Sequence, residues 1–145
     1  MSELLDRVLQ LWIDPVPEDD EAAVAAFRQF YADPVQVNGA AMPVAGLVER
    51  ARAQQRALAD LQIELIDVLA GPGKIIIVFI QRGRHVGPLP TPLGVVLASG
   101  QVIERQVIDV LTVNDGLITD VRVLADELSA LVKLGALALV PVPPA

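Results

Sequence analysis

Cysteine is absent from this chain of 145 residues, which excludes disulfides, thiol nucleophiles and cysteine-ligated zinc or iron–sulfur clusters together. Histidine occurs once, as His85, so a centre built from several histidines is excluded as well. Aromatic residues make up 3% of the chain, leaving Val, Leu, Ile and Ala to fill the interior. Basic residues are outnumbered: 11 Lys and Arg against 18 Asp and Glu give a formal net charge of -7, with no basic block. A surface that holds phosphates shows the opposite balance, so nucleic acid is not expected as a partner. No apolar run approaches the roughly 18 to 20 residues needed to span a bilayer. The longest runs, Ile75 to Ile80 and Leu134 to Val142, predict no membrane crossing. Met1 to Arg7 is charged early and lacks the layout of a secretory leader, which predicts a cytoplasmic protein.

What the chain has in excess is aliphatic side chain, with 53% of its residues hydrophobic. A chain of this length buries roughly two thirds of its unfolded surface, enough for one core without a staple. It reads as a single domain over 1–140 followed by a Pro-rich tail over 141–145. Apolar surface left over, such as Ala136 to Val142, predicts a cavity or a homodimer interface.

Leu4, Leu5, Val8, Leu9 and Trp12 recur at helical spacing and predict a first helix, ended by Pro15 and Pro17. Glu18-Asp19-Asp20 places acids at the start of a second helix, which is expected to continue through Tyr31 until Asp33-Pro34 stops it. Val35 to Asn38 predicts a short strand, Gly39 to Gly46 a connection, and Leu47 to Asp60 a third helix. Gln62 to Leu69 alternates as a strand, or else continues the helix, up to the Gly71-Pro72-Gly73 turn. Long strands follow over Lys74 to Arg84 and Gly100 to Val113, joined by a Pro- and Gly-rich stretch over Gly87 to Gly94. Asn114-Asp115-Gly116 signals a hairpin returning along Leu117 to Leu124. Leu128, Leu131 and Leu134 suggest a last short helix. Helices followed by long antiparallel strands predict an α+β cone: a curved antiparallel sheet wrapped around the N-terminal helices, with an internal apolar pocket.

One carboxylate interrupts this pattern. Asp109 sits inside Val107-Ile108-Asp109-Val110-Leu111-Thr112-Val113, where a buried strand has no use for a charge. Alternation puts Arg105, Val107, Asp109, Leu111 and Val113 on one face, and Ile75, Ile77, Phe79, Gln81, Gly83 and His85 on one face of the partner strand. Asp109 is therefore either a site residue, desolvated among Val107, Leu111 and Phe79, or a structural acid paired with Arg105, Arg122 or a backbone amide. His85, at a strand end beside Gly87 and Pro88, either touches a ligand or braces a loop. Asn38 is a candidate ligand contact or a turn residue, Gly83 marks at most a bulge, and Trp12 is a cavity wall or core.

Tyr31-Ala32-Asp33-Pro34-Val35-Gln36-Val37-Asn38-Gly39, Gly46, Arg84-His85-Val86-Gly87-Pro88, Ile108 to Ile118, Asp126 and Leu134-Gly135 together resemble the SnoaL-like polyketide cyclases. These are cones of the nuclear-transport-factor-2-like superfamily. The resemblance implies a cofactor-free intramolecular aldol closure of a hydrophobic polyketide ester, with no metal and with an aspartate on the late strand as acid/base. Asp109 occupies the position that resembles it. Asn38 resembles the family's polar residue after the first short strand, and His85 the histidine of its Gly-x-His-x-Gly segment, here Gly83-Arg84-His85-Val86-Gly87. Arg122 departs from the pattern, standing where a tryptophan is usual.

On that reading Asp109 and His85 are the catalytic candidates, and Asn38, Gln81, Arg105, Trp12, Phe79 and Leu111 hold the substrate. Asn38, Gln81 or His85 would donate to the enolate oxygen. Other readings stand beside it. One is a shape-driven cyclisation such as a [4+2] closure, with Asp109 only orienting the substrate. Another is a limonene-epoxide-hydrolase-like or ketosteroid-isomerase-like enzyme. These are weakened by Val123 and Gly39, which stand where the second hydrolase acid and the isomerase base would be expected. The last is a non-catalytic binding or assembly module whose cone is filled by its own side chains.

Overall fold

The computed structural model describes residues 2–145. Helix α1 (Ser2–Ile13) buries Leu5 and Val8, the stripe expected from its spacing. It stops before Pro15, and its terminal carbonyls are taken up by another helix. The amide of Gln55 donates to the carbonyls of Trp12 (3.0 Å) and Asp14 (2.8 Å), and its oxygen accepts from the Val16 amide at 3.1 Å. Gln55 lies on α3 (Val44–Ala57), so α1 and α3 are tied together where Trp12 leaves the helix.

Helix α2 (Asp20–Arg28) is capped by Asp19, whose carboxylate accepts from the Ala22 amide at 2.9 Å. The helix was expected to reach Tyr31 but ends at Arg28, and β1 (Tyr31–Val37) begins at Tyr31 and runs through Pro34. Local propensity favoured helix, and long-range pairing overrode it: Tyr31 aligns with Ile118 at the far end of the chain. Pro34 follows a cis peptide bond and lies where the register with β8 shifts. Proline brings no N–H to a ladder, so it is accommodated at such an irregularity.

A short return strand, β2 (Ala40–Met42), lies inside the segment read as a plain connection, and α3 starts at Val44, not Leu47. The long strands follow: β3 (Leu58–Gly71), β4 (Lys74–His85), β7 (Val102–Asn114) and β8 (Leu117–Ala125). Between β4 and β7 the Pro- and Gly-rich stretch forms a small hairpin of β5 (Leu89–Thr91) and β6 (Gly94–Val96). Asp115 (φ 50) and Gly116 (φ 78) supply the two left-handed positions of the β7–β8 turn. Helix α4 (Glu127–Lys133) closes the ordered elements, capped by Asp126.

The main sheet has the order β2-β1-β8-β7-β4-β3. Every neighbouring pair is antiparallel except β1 with β8, so the sheet is mixed and not purely antiparallel as expected. The inward face of β4 is buried at Ile75, Ile77, Phe79, Gln81, Gly83 and His85, with less buried residues between them. Leu5, Phe27, Leu47 and Ala51 from the helices pack with Ile75, Ile77, Val107 and Leu111 from this face in one core. The helices therefore cover one side of a curved sheet, the α+β cone. Among the described residues no helix is long and apolar enough to cross a membrane.

Candidate active site

The helices do not fill the cone. A cavity of about 570 Å³ remains between them and the concave face of the sheet. This removes the reading in which the cone is packed solid by its own side chains. Strand β7 contributes Arg105, Val107, Asp109 and Leu111 to the wall, and β4 contributes Ile77, Phe79 and Gln81, as the period of two requires. Trp12 reaches the cavity from the end of α1 and Tyr31 from the start of β1.

Asp109 pairs in register with Ile77 on β4 and Val123 on β8, so both flanking positions are aliphatic. Its Oδ1 is buried and has no hydrogen-bond partner among the described residues. Neither arginine named as a possible partner reaches it. Arg105 is held by Gln81 and Glu127, and Arg122 aligns with Val110 on the opposite face of the strand pair. Desolvation by burial raises the Asp109 pKa to about 6.

Trp12 and Tyr31 form a polar pair in the same wall. The indole Nε1–H donates to the Tyr31 hydroxyl at 2.9 Å. The hydroxyl thus uses a lone pair on Trp12 and keeps its own hydrogen as a donor. Burial raises the Tyr31 pKa, the Trp12 bond opposes the rise, and the neighbouring Asp109 charge adds to it. Tyr31 was not among the site residues expected from sequence, because it was assigned to a helix. Its strand assignment depends on Ile118, which no local signal reports.

Of the expected site residues, the structure brings Asp109, Gln81, Arg105, Trp12, Phe79 and Leu111 to one cavity, and does not bring His85 or Asn38 there. His85 is fully buried beyond the end of the cavity wall, aligned with Leu58 of β3. Its Nδ1 lies 2.9 Å from the Ser99 hydroxyl and accepts from the Ser99 amide at 3.2 Å. The ring therefore braces the loop ahead of β7, the bracing alternative and not the ligand contact.

Asn38 serves as a splice between β1 and β8. Its side-chain oxygen accepts from the Val123 amide at 2.9 Å and its amide donates to the Val123 carbonyl at 3.3 Å. It also adopts a left-handed φ of 49°. Asn38→Ala should cost about 2 kcal/mol in urea unfolding, from two lost bonds and a strained backbone. Asn38→Gly should cost less, because glycine relieves the strain.

Polar cavity residues with no sequence signal are Glu127, at the start of α4, Arg50 and Gln54, on α3, and Thr91, at the end of β5. Among the described residues no three of His, Cys, Asp and Glu stand together as metal ligands.

The family model for SnoaL-like polyketide cyclases matches residues 4–134. Among solved structures the chain is similar to TsrD from Streptomyces laurentii, at 24% identity and a TM-score of 0.76, covering 94% of this chain and 95% of that one. It is similar to AclR from Streptomyces galilaeus, described as a candidate hydroxylase, at 19% identity and a TM-score of 0.70 over 97% and 90% of the two chains. A candidate polyketide cyclase from Acidithiobacillus ferrooxidans matches at 17% identity and a TM-score of 0.70, over 94% of each chain. Likeness at these identities is likeness of fold. Comparison with curated proteins gives no match.

Proposed function

The chain belongs to the SnoaL-like polyketide cyclase family, and from that premise we propose that it closes a ring within a hydrophobic polyketide-type intermediate, with Asp109 as the acid/base. One observation carries the reading: a carboxylate oxygen buried without a partner in an otherwise aliphatic stretch of cavity wall. Leaving it there is costly to the fold, and a positioned proton acceptor explains it.

The chemistry balances with no redox partner. The Asp109 carboxylate removes a proton from a carbon activated by two carbonyls. The resulting enolate carbon forms a bond to a carbonyl carbon of the same molecule, and the alkoxide so formed takes the proton back from Asp109. With its pKa raised to about 6, the carboxylate is still ionised at neutral pH and is a stronger base than an exposed aspartate. The Tyr31 hydroxyl, freed to donate by its bond from Trp12, stabilises charge on the enolate or alkoxide oxygen. Ile77, Phe79, Val107 and Leu111 hold the flexible chain folded, which supplies the entropic part of the rate. Neither metal nor organic cofactor enters this sequence of steps. Val123, directly opposite Asp109 on β8, supports it over an epoxide hydrolase, which needs its second acid beside the first.

Exchange at an activated carbon tests the proton-transfer step without knowledge of the natural substrate. With methyl 3-oxodecanoate in deuterated buffer, the protein is expected to accelerate deuterium incorporation at C2 well above background, followed by NMR. Exchange no faster than in buffer would overturn Asp109 as a base and leave the shape-driven closure as the better account.

Residues 1–140 act as one catalytic domain in this reading, with 141–145 as a tail and a cytoplasmic setting. A second copy of the chain covers the outer sheet face, where Ile108 and Leu124 are 42% and 74% exposed. Light scattering should give twice the chain mass of 15.5 kDa, and Ile108→Glu should reduce it to that of one chain.

A further inference from the structure

The cavity has a second polar end, chemically unlike the first. Arg105 is drawn into a cluster with two other lining residues. Its Nη1 donates to Glu127 Oε1 at 2.6 Å, its Nε donates to Gln81 Oε1 at 3.1 Å, and its Nη2 donates to the same Gln81 oxygen. The Arg105 side chain is 12% exposed, Gln81 is buried, and Glu127, though its side chain is 32% exposed, turns a buried Oε2 toward the cluster, so the cluster is a built site.

The hydrogen-bonding capacity left over is specific. Arg105 retains one N–H on each terminal nitrogen, and Gln81, its oxygen occupied twice, retains its amide N–H groups. Glu127 Oε2 is buried and has no hydrogen-bond partner among the described residues. The cluster thus presents donors beside one strong acceptor, while the opposite charges of Arg105 and Glu127 offset each other. An anion would meet the Glu127 carboxylate, and a cation would meet the Arg105 guanidinium. A neutral group that both donates and accepts can pair with the free Glu127 oxygen and with free N–H groups of the cluster at the same time.

Arg105 and Asp109 lie four residues apart on β7 and face the same side, which separates them by roughly 13 Å along a strand. We propose that Arg105, Gln81 and Glu127 form a recognition end for a neutral donor–acceptor head group, a carboxamide or a hydroxyl, carried at the end of the substrate remote from the carbon that meets Asp109. This rests on the cavity being the substrate site. It defines the substrate class: an apolar chain with a reactive carbonyl region at one end and an uncharged hydrogen-bonding head at the other. The head fixes which carbon lies over the carboxylate, and so which ring forms.

Calorimetric binding at pH 8 to the native protein tests this with three probes of equal chain length: n-decanamide, N,N-dimethyldecanamide and decanoate. Only the first is neutral and can both donate and accept. It should bind at least roughly tenfold more tightly than either of the others, the effect of one hydrogen bond to a buried charged acceptor. In Glu127→Gln the advantage of decanamide over its dimethyl counterpart should shrink to about twofold, since an amide nitrogen replaces the free carboxylate oxygen. Equal affinities in the native protein, tighter binding of decanoate, or a preference untouched by Glu127→Gln would overturn the recognition end while leaving the cyclase reading intact. Failure of all three probes to bind would overturn both the recognition end and the cavity as a ligand site.

Discussion

Asp109→Asn is expected to lower ring-closing turnover at least a hundredfold and, in the same variant, to stabilise the protein. An amide of the same shape cannot take up a proton at neutral pH, and a positioned acid/base contributes about a hundredfold to ten-thousandfold to a rate. The stability effect follows from linkage. Burial raises the carboxyl from 3.8 to about 6 in the folded protein, so the folded state holds the proton more tightly than the unfolded chain. The Asp109 contribution to stability is therefore greatest below about pH 4, is lost progressively as pH rises toward 6, and stays lost above it. Discounted for partial exposure, the penalty at pH 8 is about 2 kcal/mol. Asn, which never ionises, removes that penalty at pH 8 and removes nothing near pH 3. Urea unfolding of both proteins at the two pH values checks the second half, and turnover of a cyclising substrate checks the first. Turnover of the native enzyme should also rise through about pH 6 as the base ionises. Near-full activity in Asp109→Asn would assign catalysis to the shape of the cavity alone.

Gly87→Ala is expected to destabilise the fold by about 3 kcal/mol or more, a large effect for one added methyl group. A Cβ at Gly87 would lie 2.2 Å from the carbonyl oxygen of Arg56 and 3.1 Å from its carbon. These are backbone atoms at the end of α3, unable to rotate aside as a side chain could. The contact is held from both sides, because the amides of Val86 and Gly87 donate to the Ala57 carbonyl at 2.9 and 3.2 Å. Gly71→Ala is the matched control: nothing lies within 4 Å of a Cβ there, and unfolding in urea should be nearly unchanged. The pair would establish that Gly83-Arg84-His85-Val86-Gly87, which looks catalytic by its pattern, acts as a clamp between β4 and α3.

That clamp shows where legibility ended. The wall of the cavity could be read from the chain because β4 and β7 are long and alternate strictly, so one period of two places Phe79, Gln81, Arg105, Asp109 and Leu111 on a shared face. Nothing comparable reports an approach between distant segments. His85 sits on that same inward face, yet the packing of α3 against Gly87 puts it in the protein interior, past the cavity. Tyr31 follows ten residues of good helix formers and becomes a strand because of Ile118. The parallel pairing of β1 with β8, with Asn38 as its fastener, joins ends of the chain that share no sequence cue. Glu127 reaches the cavity only because α4 folds back toward β7, where it meets Arg105 across 22 positions of sequence.

Trp12 is the one tryptophan in the chain, and it lines the cavity with its indole N–H engaged by Tyr31. Emission excited at the red edge of indole absorption therefore has a single origin, at the place where a ligand would sit. The protein carries a built-in optical gauge of occupancy. Unlabelled compound libraries can be titrated against it, and the time course of filling and emptying can be followed on a stopped-flow instrument without altering one atom of the chain.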